Sequence, residues 1–283
     1  MTTIKIINSL IYLMRNDLTF SFFKKKNKVI AKGKSPWKII KHPFRKDKVL
    51  KFVIVTSSML RSQTLKKIQR EYDINKLLMK HPKMHAVMVP TDIGKIVNNG
   101  SDSHLIHYVY FIEMDYMDGD LTNMNDKEII WSSIILQILA GLINLHNLGI
   151  KHGDLAPRNI LFRKIKKGYT YSINFRRRTH EIVVEDYEIK IADFGLSKTA
   201  KSKIVRHEHF KNNLAYLSSS LLFNSNHRVN TKKKFNIPNN LKKKITGFRN
   251  LKNLKSKSKS KMTKRDVYDF LRKKITTKNF LQF

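Results

Sequence analysis

His152-Gly153-Asp154-Leu155-Ala156-Pro157-Arg158-Asn159 runs directly into the apolar Ile160-Leu161-Phe162 and is followed downstream by Asp193-Phe194-Gly195 at the end of a second apolar run. The five-residue step from Asp154 to Asn159 lets one short loop aim both side chains into one cleft, and Ile160 to Phe162 anchors that loop as a strand. Each residue type suits a task. A carboxylate such as Asp154 can orient an attacking hydroxyl, while the amide oxygen of Asn159 and the carboxylate of Asp193 are hard oxygen ligands of the kind magnesium takes.

Read in order, these motifs resemble those of eukaryotic-type protein kinases, whose catalytic loop reads H-R-D-L-x-x-x-N and whose metal loop reads D-F-G. The resemblance implies a two-lobed α+β fold, with a small β-rich lobe and a mainly helical large lobe shortened at the C-terminus, and ATP with Mg2+ held between them. It implies transfer of the γ-phosphate to a hydroxyl of a protein substrate, serine or threonine ahead of tyrosine. Asp154 would orient the acceptor, Arg158 would neutralise the transferred phosphate, and Asn159 and Asp193 would hold magnesium. Ala156 and Arg158 follow the loop pattern of tyrosine kinases, so the acceptor stays open.

Further cofactor-binding residues follow from the same resemblance. The largely apolar His107 to Met114 reads as a strand ending in a hinge, with Met114 as gatekeeper and Asp115 to Met117 offering backbone groups to adenine; Leu161 borders the same cofactor. Lys51, between apolar neighbours in Val49-Leu50-Lys51-Phe52-Val53, would hold the α- and β-phosphates. Glu71, in a helical segment from Lys66 to Met79, would orient it.

The chain departs from the family pattern at several points. Of the glycine-rich loop only Gly33 remains, and Pro36 removes a backbone donor beside it. Gly153 stands where many kinases carry the arginine that pairs with a phosphorylated activation segment, so regulation by that route is not expected. An A-P-E triplet is missing after Gly195. Asp266-Val267-Tyr268 resembles the start of the buried helix whose aspartate braces the catalytic loop.

Periodicity supplies the remaining elements. Ile130, Ile134, Ile138, Leu142 and Leu145 repeat at helical spacing through Asp126 to Asn147, with Asn125 or Asp126 as N-cap. Tyr169 to Phe175 and Glu181 to Val184 are expected to pair as an inserted hairpin. The organisation read from all this is an extension at 1–28, the small lobe at 29–117, the large lobe with insertions at 118–230, a basic low-complexity segment at 231–264 and a terminal helix at 265–283.

Composition bounds the alternatives. The 283 residues are 41% hydrophobic, enough for a sizeable core, and contain no cysteine, which excludes disulfides and thiolate metal sites. His207-Glu208-His209 lacks a full zinc ligand set. The apolar run Ile6 to Met14 is too short to span a bilayer and is broken by Asn8 and Ser9, so an intracellular protein without a transmembrane segment is expected. The formal net charge is +36, and Thr231 to Phe283 holds 18 Lys/Arg against two acids, Asp266 and Asp269. Such a solvated run would attract a polyanion, nucleic acid or an acidic surface. Three other readings fit the same residues: a pseudokinase scaffold, a small atypical kinase or ATPase like that of the tRNA threonylcarbamoyl-modification complex, and a basic nucleic-acid-binding protein. The lysine-, isoleucine- and asparagine-rich usage also resembles kinases of large DNA viruses.

Overall fold

In the computed structural model, residues 29–31, 37–42, 44–60, 62–97, 106–124, 130–175, 178–200, 202–223, 235, 237–239, 241–243 and 245–246 are described. The N-terminal extension, Gly33 with Pro36, the caps at Asn125 and Asp126, Asp266 with its helix and most of the basic segment lie outside them. The chain divides into two units. One comprises residues 1–82 and 88–116, the other 83–87 and 117–283.

The first unit is an antiparallel sheet of β1 (Val29–Ala31), β2 (Lys38–Lys41), β3 (Lys48–Thr56), β4 (Asp92–Val97) and β5 (Ile106–Asp115), in spatial order β1-β2-β3-β5-β4. Side chains alternate across a strand, and β3 uses both faces. Leu50 and Phe52 join Ile40, Val109 and Phe111 on one side. Val53 and Val55 join Trp37, Ile68, Tyr110 and Ile112 on the other. Burial on both faces explains why β3 reads as an almost unbroken apolar run rather than an alternating one.

Helix α1 (Gln63–Met79) supplies Ile68 to that second face. The Ser62 hydroxyl caps it by accepting from the Leu65 N–H at 3.3 Å. The expectation began this helix three residues later, at Lys66; Ser62 fixes the earlier start.

The second unit is organised around α2 (Trp131–Asn147), which is buried on nearly every side, including Ile134, Ile135, Ile138, Leu139, Leu142 and Leu145. A helix apolar all round belongs in a core. The described helix begins at Trp131, and Ile130 at its N-cap makes no side-chain cap bond. Its polar residues serve neighbouring backbone. Gln137 donates from Nε2 to the Tyr187 carbonyl at 2.9 Å and accepts from the Ile189 N–H at 2.9 Å. Asn144 donates to the His85 carbonyl at 3.0 Å.

Short strands frame the loop from His152 to Asn159: β6 (Gly119–Asp120), β7 (Ile150–Lys151), β8 (Ile160–Lys164), β11 (Tyr187–Ile191) and β12 (Lys198–Thr199), with β11-β8-β6 and β12-β7 as sheets. Between β8 and β11, β9 (Tyr169–Phe175) and β10 (Arg178–Val184) pair in register from Tyr169 opposite Val184 to Phe175 opposite Arg178. The inserted hairpin is thus present, with its second strand three residues longer than expected. After β12, helix α3 (Lys203–Phe223) packs on α2 and β7. Among the described residues, no helix is long and apolar enough to cross a membrane.

Candidate active site

Lys51 sits on β3 with odd parity, like Val53 and Val55, so its side chain lies on the α1 face of the sheet. There its ammonium pairs with the Glu71 carboxylate, both residues being buried. The Trp37 ring adds a cation–π contact, its centroid 5.4 Å from Nζ. Burying two charges is tolerated only when each satisfies the other, so strand parity and helix phase together make this pair.

Asp115 ends β5 and forms an ion pair with Lys48 at 2.5 Å. Met114 is half-buried against the α1-side cluster of the same unit. Met117 opens the other unit and is buried there. Leu161 lies on β8, half-buried, opposite Asp120 on one side and Lys190 on the other.

The loop from His152 to Asn159 carries a polar network of its own. Asn159, 5% exposed, donates from Nδ2 to the Asp154 carbonyl at 2.7 Å and to Asp154 Oδ2 at 3.2 Å. Arg158 donates from Nη2 to the same Oδ2 at 2.6 Å. The loop thus ties its own acid from within. Asn159 commits its amide nitrogen to Asp154, which leaves Oδ1 as the oxygen for a cation.

His152 holds the loop to the second motif. Its Nδ1 accepts from the Asp154 N–H at 3.3 Å, which leaves the proton on Nε2 to donate to the Ala192 carbonyl at 2.8 Å. That neutral tautomer agrees with burial, which lowers the imidazole pKa from its ordinary 6.5. The next residue, Asp193, takes a left-handed backbone with φ 64°, a conformation aspartate tolerates better than most side chains. Ala192 N–H also donates to the Asn159 carbonyl at 2.8 Å. Asp154, Asn159 and Asp193 are therefore linked through backbone.

Helix α3 adds residues that the sequence reading passed over. Asn213 accepts the His152 N–H on Oδ1 at 3.2 Å, Tyr216 donates its hydroxyl to Asp154 Oδ1 at 2.9 Å, and the Ser220 hydroxyl shares its proton between the Tyr216 carbonyl of its own helix and the Leu155 carbonyl at 3.1 Å. Asp266, expected to brace the loop, lies outside the described residues; among those, Asn213 is the residue whose side chain accepts the His152 N–H. A signal was available: Asn213, Tyr216 and Ser220 are spaced i, i+3, i+7 along one helix face. Only the seven residues Leu196 to Ser202 separate Gly195 from α3.

Among the described residues no three His, Cys, Asp or Glu side chains cluster as a metal site. The donors at hand are instead one amide oxygen and one carboxylate, a hard set suited to magnesium shared with phosphate oxygens.

Residues 37–237 match the family model described as protein kinase domain. Among curated proteins, the chain is 28% identical over 175 residues to the serine/threonine-protein kinase cds1 of Schizosaccharomyces pombe, covering 62% of this chain and 31% of that protein. It is 30% identical over 173 residues to a probable myosin light chain kinase of Dictyostelium discoideum, covering 59% and 41%. A solved chain of the yeast RNA polymerase II CTD kinase CTDK-1 complex overlaps loosely, with a TM-score of 0.43 and 17% identity over 71% of this chain and 65% of that one. The chain spans less than half the length of these two curated relatives.

Proposed function

Because the chain belongs to the protein kinase domain family, we propose that it transfers the γ-phosphate of ATP to a hydroxyl of a protein substrate, with serine or threonine as acceptor. The names of its relatives as serine/threonine kinases support that acceptor class. The observation that carries the reading is the Asp154 carboxylate held by Arg158 and Asn159 from its own loop.

In this reading Asp154 accepts a hydrogen bond from the attacking hydroxyl and fixes its direction of approach. Arg158 spends one N–H on Asp154 and has others for the transferred phosphoryl group. Lys51, oriented by Glu71, pairs with the α- and β-phosphates. Asn159 Oδ1 and Asp193 would hold magnesium, which neutralises charge on the phosphates when bound. Asp115, Met117 and Leu161 would line the adenine position, and Gly33 the phosphate loop.

Labelled ATP with magnesium, offered with generic acidic and basic proteins to wild type and to Asp193→Asn, tests the reading. Transfer that disappears in the variant supports it. A wild type that binds nucleotide but transfers nothing replaces it with a pseudokinase.

The motifs His152-Gly153-Asp154 and Asp193-Phe194-Gly195-Leu196-Ser197, with no A-P-E triplet after them, favour a second reading, a small atypical kinase or ATPase like that of the tRNA threonylcarbamoyl complex. ATP hydrolysis without protein labelling, together with tRNA binding, would select it. The charge of Thr231 to Phe283 supports a contact with a polyanion in either case, and binding to RNA or DNA that does not weaken with salt would dismiss that contact.

A further inference from the structure

An ionised carboxylate has about four lone-pair sites, two on each oxygen. Asp154 Oδ2 fills its two with Arg158 and Asn159. Oδ1 accepts Tyr216 at 2.9 Å and keeps one site. The donor on Oδ1 comes from a helix sixty-two residues downstream in sequence. It arrives there because the short Leu196 to Ser202 connection brings α3 against the loop, and Asn213 and Ser220 fix that helix to His152 and Leu155 on either side of the acid.

We propose that Tyr216 is a positioning residue for phosphoryl transfer: its phenol locks the Asp154 carboxylate so that a single Oδ1 lone pair faces the acceptor hydroxyl. The inference rests on the kinase reading above. Arg158 and Asn159 alone hold one oxygen and leave the carboxylate free to rock about its Cβ–Cγ bond. The phenol on the other oxygen removes that freedom, and it does so from a helix anchored at two further points. Tyr216 itself takes no part in bond making. The acceptor oxygen forms the new P–O bond, ADP leaves with the old bridging oxygen, and the acceptor proton passes to Asp154 or solvent.

Steady-state transfer from labelled ATP to a generic basic protein, run on the full chain for wild type, Tyr216→Phe and Asp154→Asn, tests this. The phenylalanine keeps the ring and deletes the donor. It should lower kcat on the order of five- to tenfold, the worth of one hydrogen bond, with KM for ATP unchanged and at most a small fall in melting temperature. A purely structural role would move the melting temperature and leave kcat per folded molecule alone. Undiminished kcat in Tyr216→Phe beside an inactive Asp154→Asn overturns the role of Tyr216 alone, as does labelled phosphate found on Tyr216 itself. If Asp154→Asn loses nothing relative to wild type, the kinase reading falls, and this role falls with it.

Discussion

The carbonyl oxygen of Leu196 lies 2.5 Å from the point where a Cβ on Gly153 would stand, and Gly153 has φ 86°. Glycine is therefore required twice over, by its left-handed backbone and by the close approach of the residue after Asp193-Phe194-Gly195. Where the family pattern has arginine, this chain has packed one motif against the other.

Restoring the family residue should accordingly harm the protein. Gly153→Arg is expected to cost about 1–3 kcal/mol in backbone strain alone, before the clash with Leu196. Chemical denaturation would show it as a lower midpoint; an unchanged midpoint would mean that the loop relaxes without penalty.

For Lys51 and Glu71, single and double replacements should diverge. Lys51→Met takes the ammonium away from the buried Glu71 carboxylate and should destabilise by about 3–5 kcal/mol while abolishing transfer. Adding Glu71→Leu should return much of the stability and none of the activity. Calorimetry and the ATP assay on the same three proteins decide this, and full activity in Lys51→Met would remove Lys51 from the site.

Stability should fall as pH drops from 7.5 to 5.5. His42, His85, His152 and His209 all have pKa values below the ordinary 6.5, burial being the main cause in each. Through 6.5 and just below, the unfolded chain binds protons that the folded chain refuses, so the stabilisation is complete above that pH and is lost on acidification. Melting temperatures across the range would check it. His85→Phe, which keeps an aromatic ring against Tyr171 at the position now 4.2 Å away, should shrink the drop, and a flat or rising profile would refute the prediction.

Asn213→Ala should leave the buried His152 N–H without its partner, at about 1–3 kcal/mol, and reduce transfer by loosening the loop. Asn213→Asp, which keeps an acceptor oxygen in place, should retain most of both. Equal behaviour of the two variants would show that the bond at 3.2 Å contributes little.

Part of the architecture within the units could be read from periodicity. The repeat in α2, the apolar β3 and the hairpin at 169–184 each carry a local signal. The catalytic loop was legible for another reason: its residue types are dictated by chemistry at fixed spacing, and Asp154, Arg158 and Asn159 do meet. The connection of α3 to the loop was not visible in the same way. Asn213, Tyr216 and Ser220 are ordinary polar residues until a tertiary contact gives each a partner. Lys51 shows the intermediate case, since its strand parity could be counted but its partner depended on the phase of α1.

The three bonds that α3 sends to His152, Asp154 and Leu155 also bear on how the protein opens. A loop fastened to one helix at three of its four residues from His152 to Leu155 cannot fray on its own, so loop and helix form a single cooperative unit. Their amide protons would exchange together, and any event that peels α3 away would dismantle the acid in the same step.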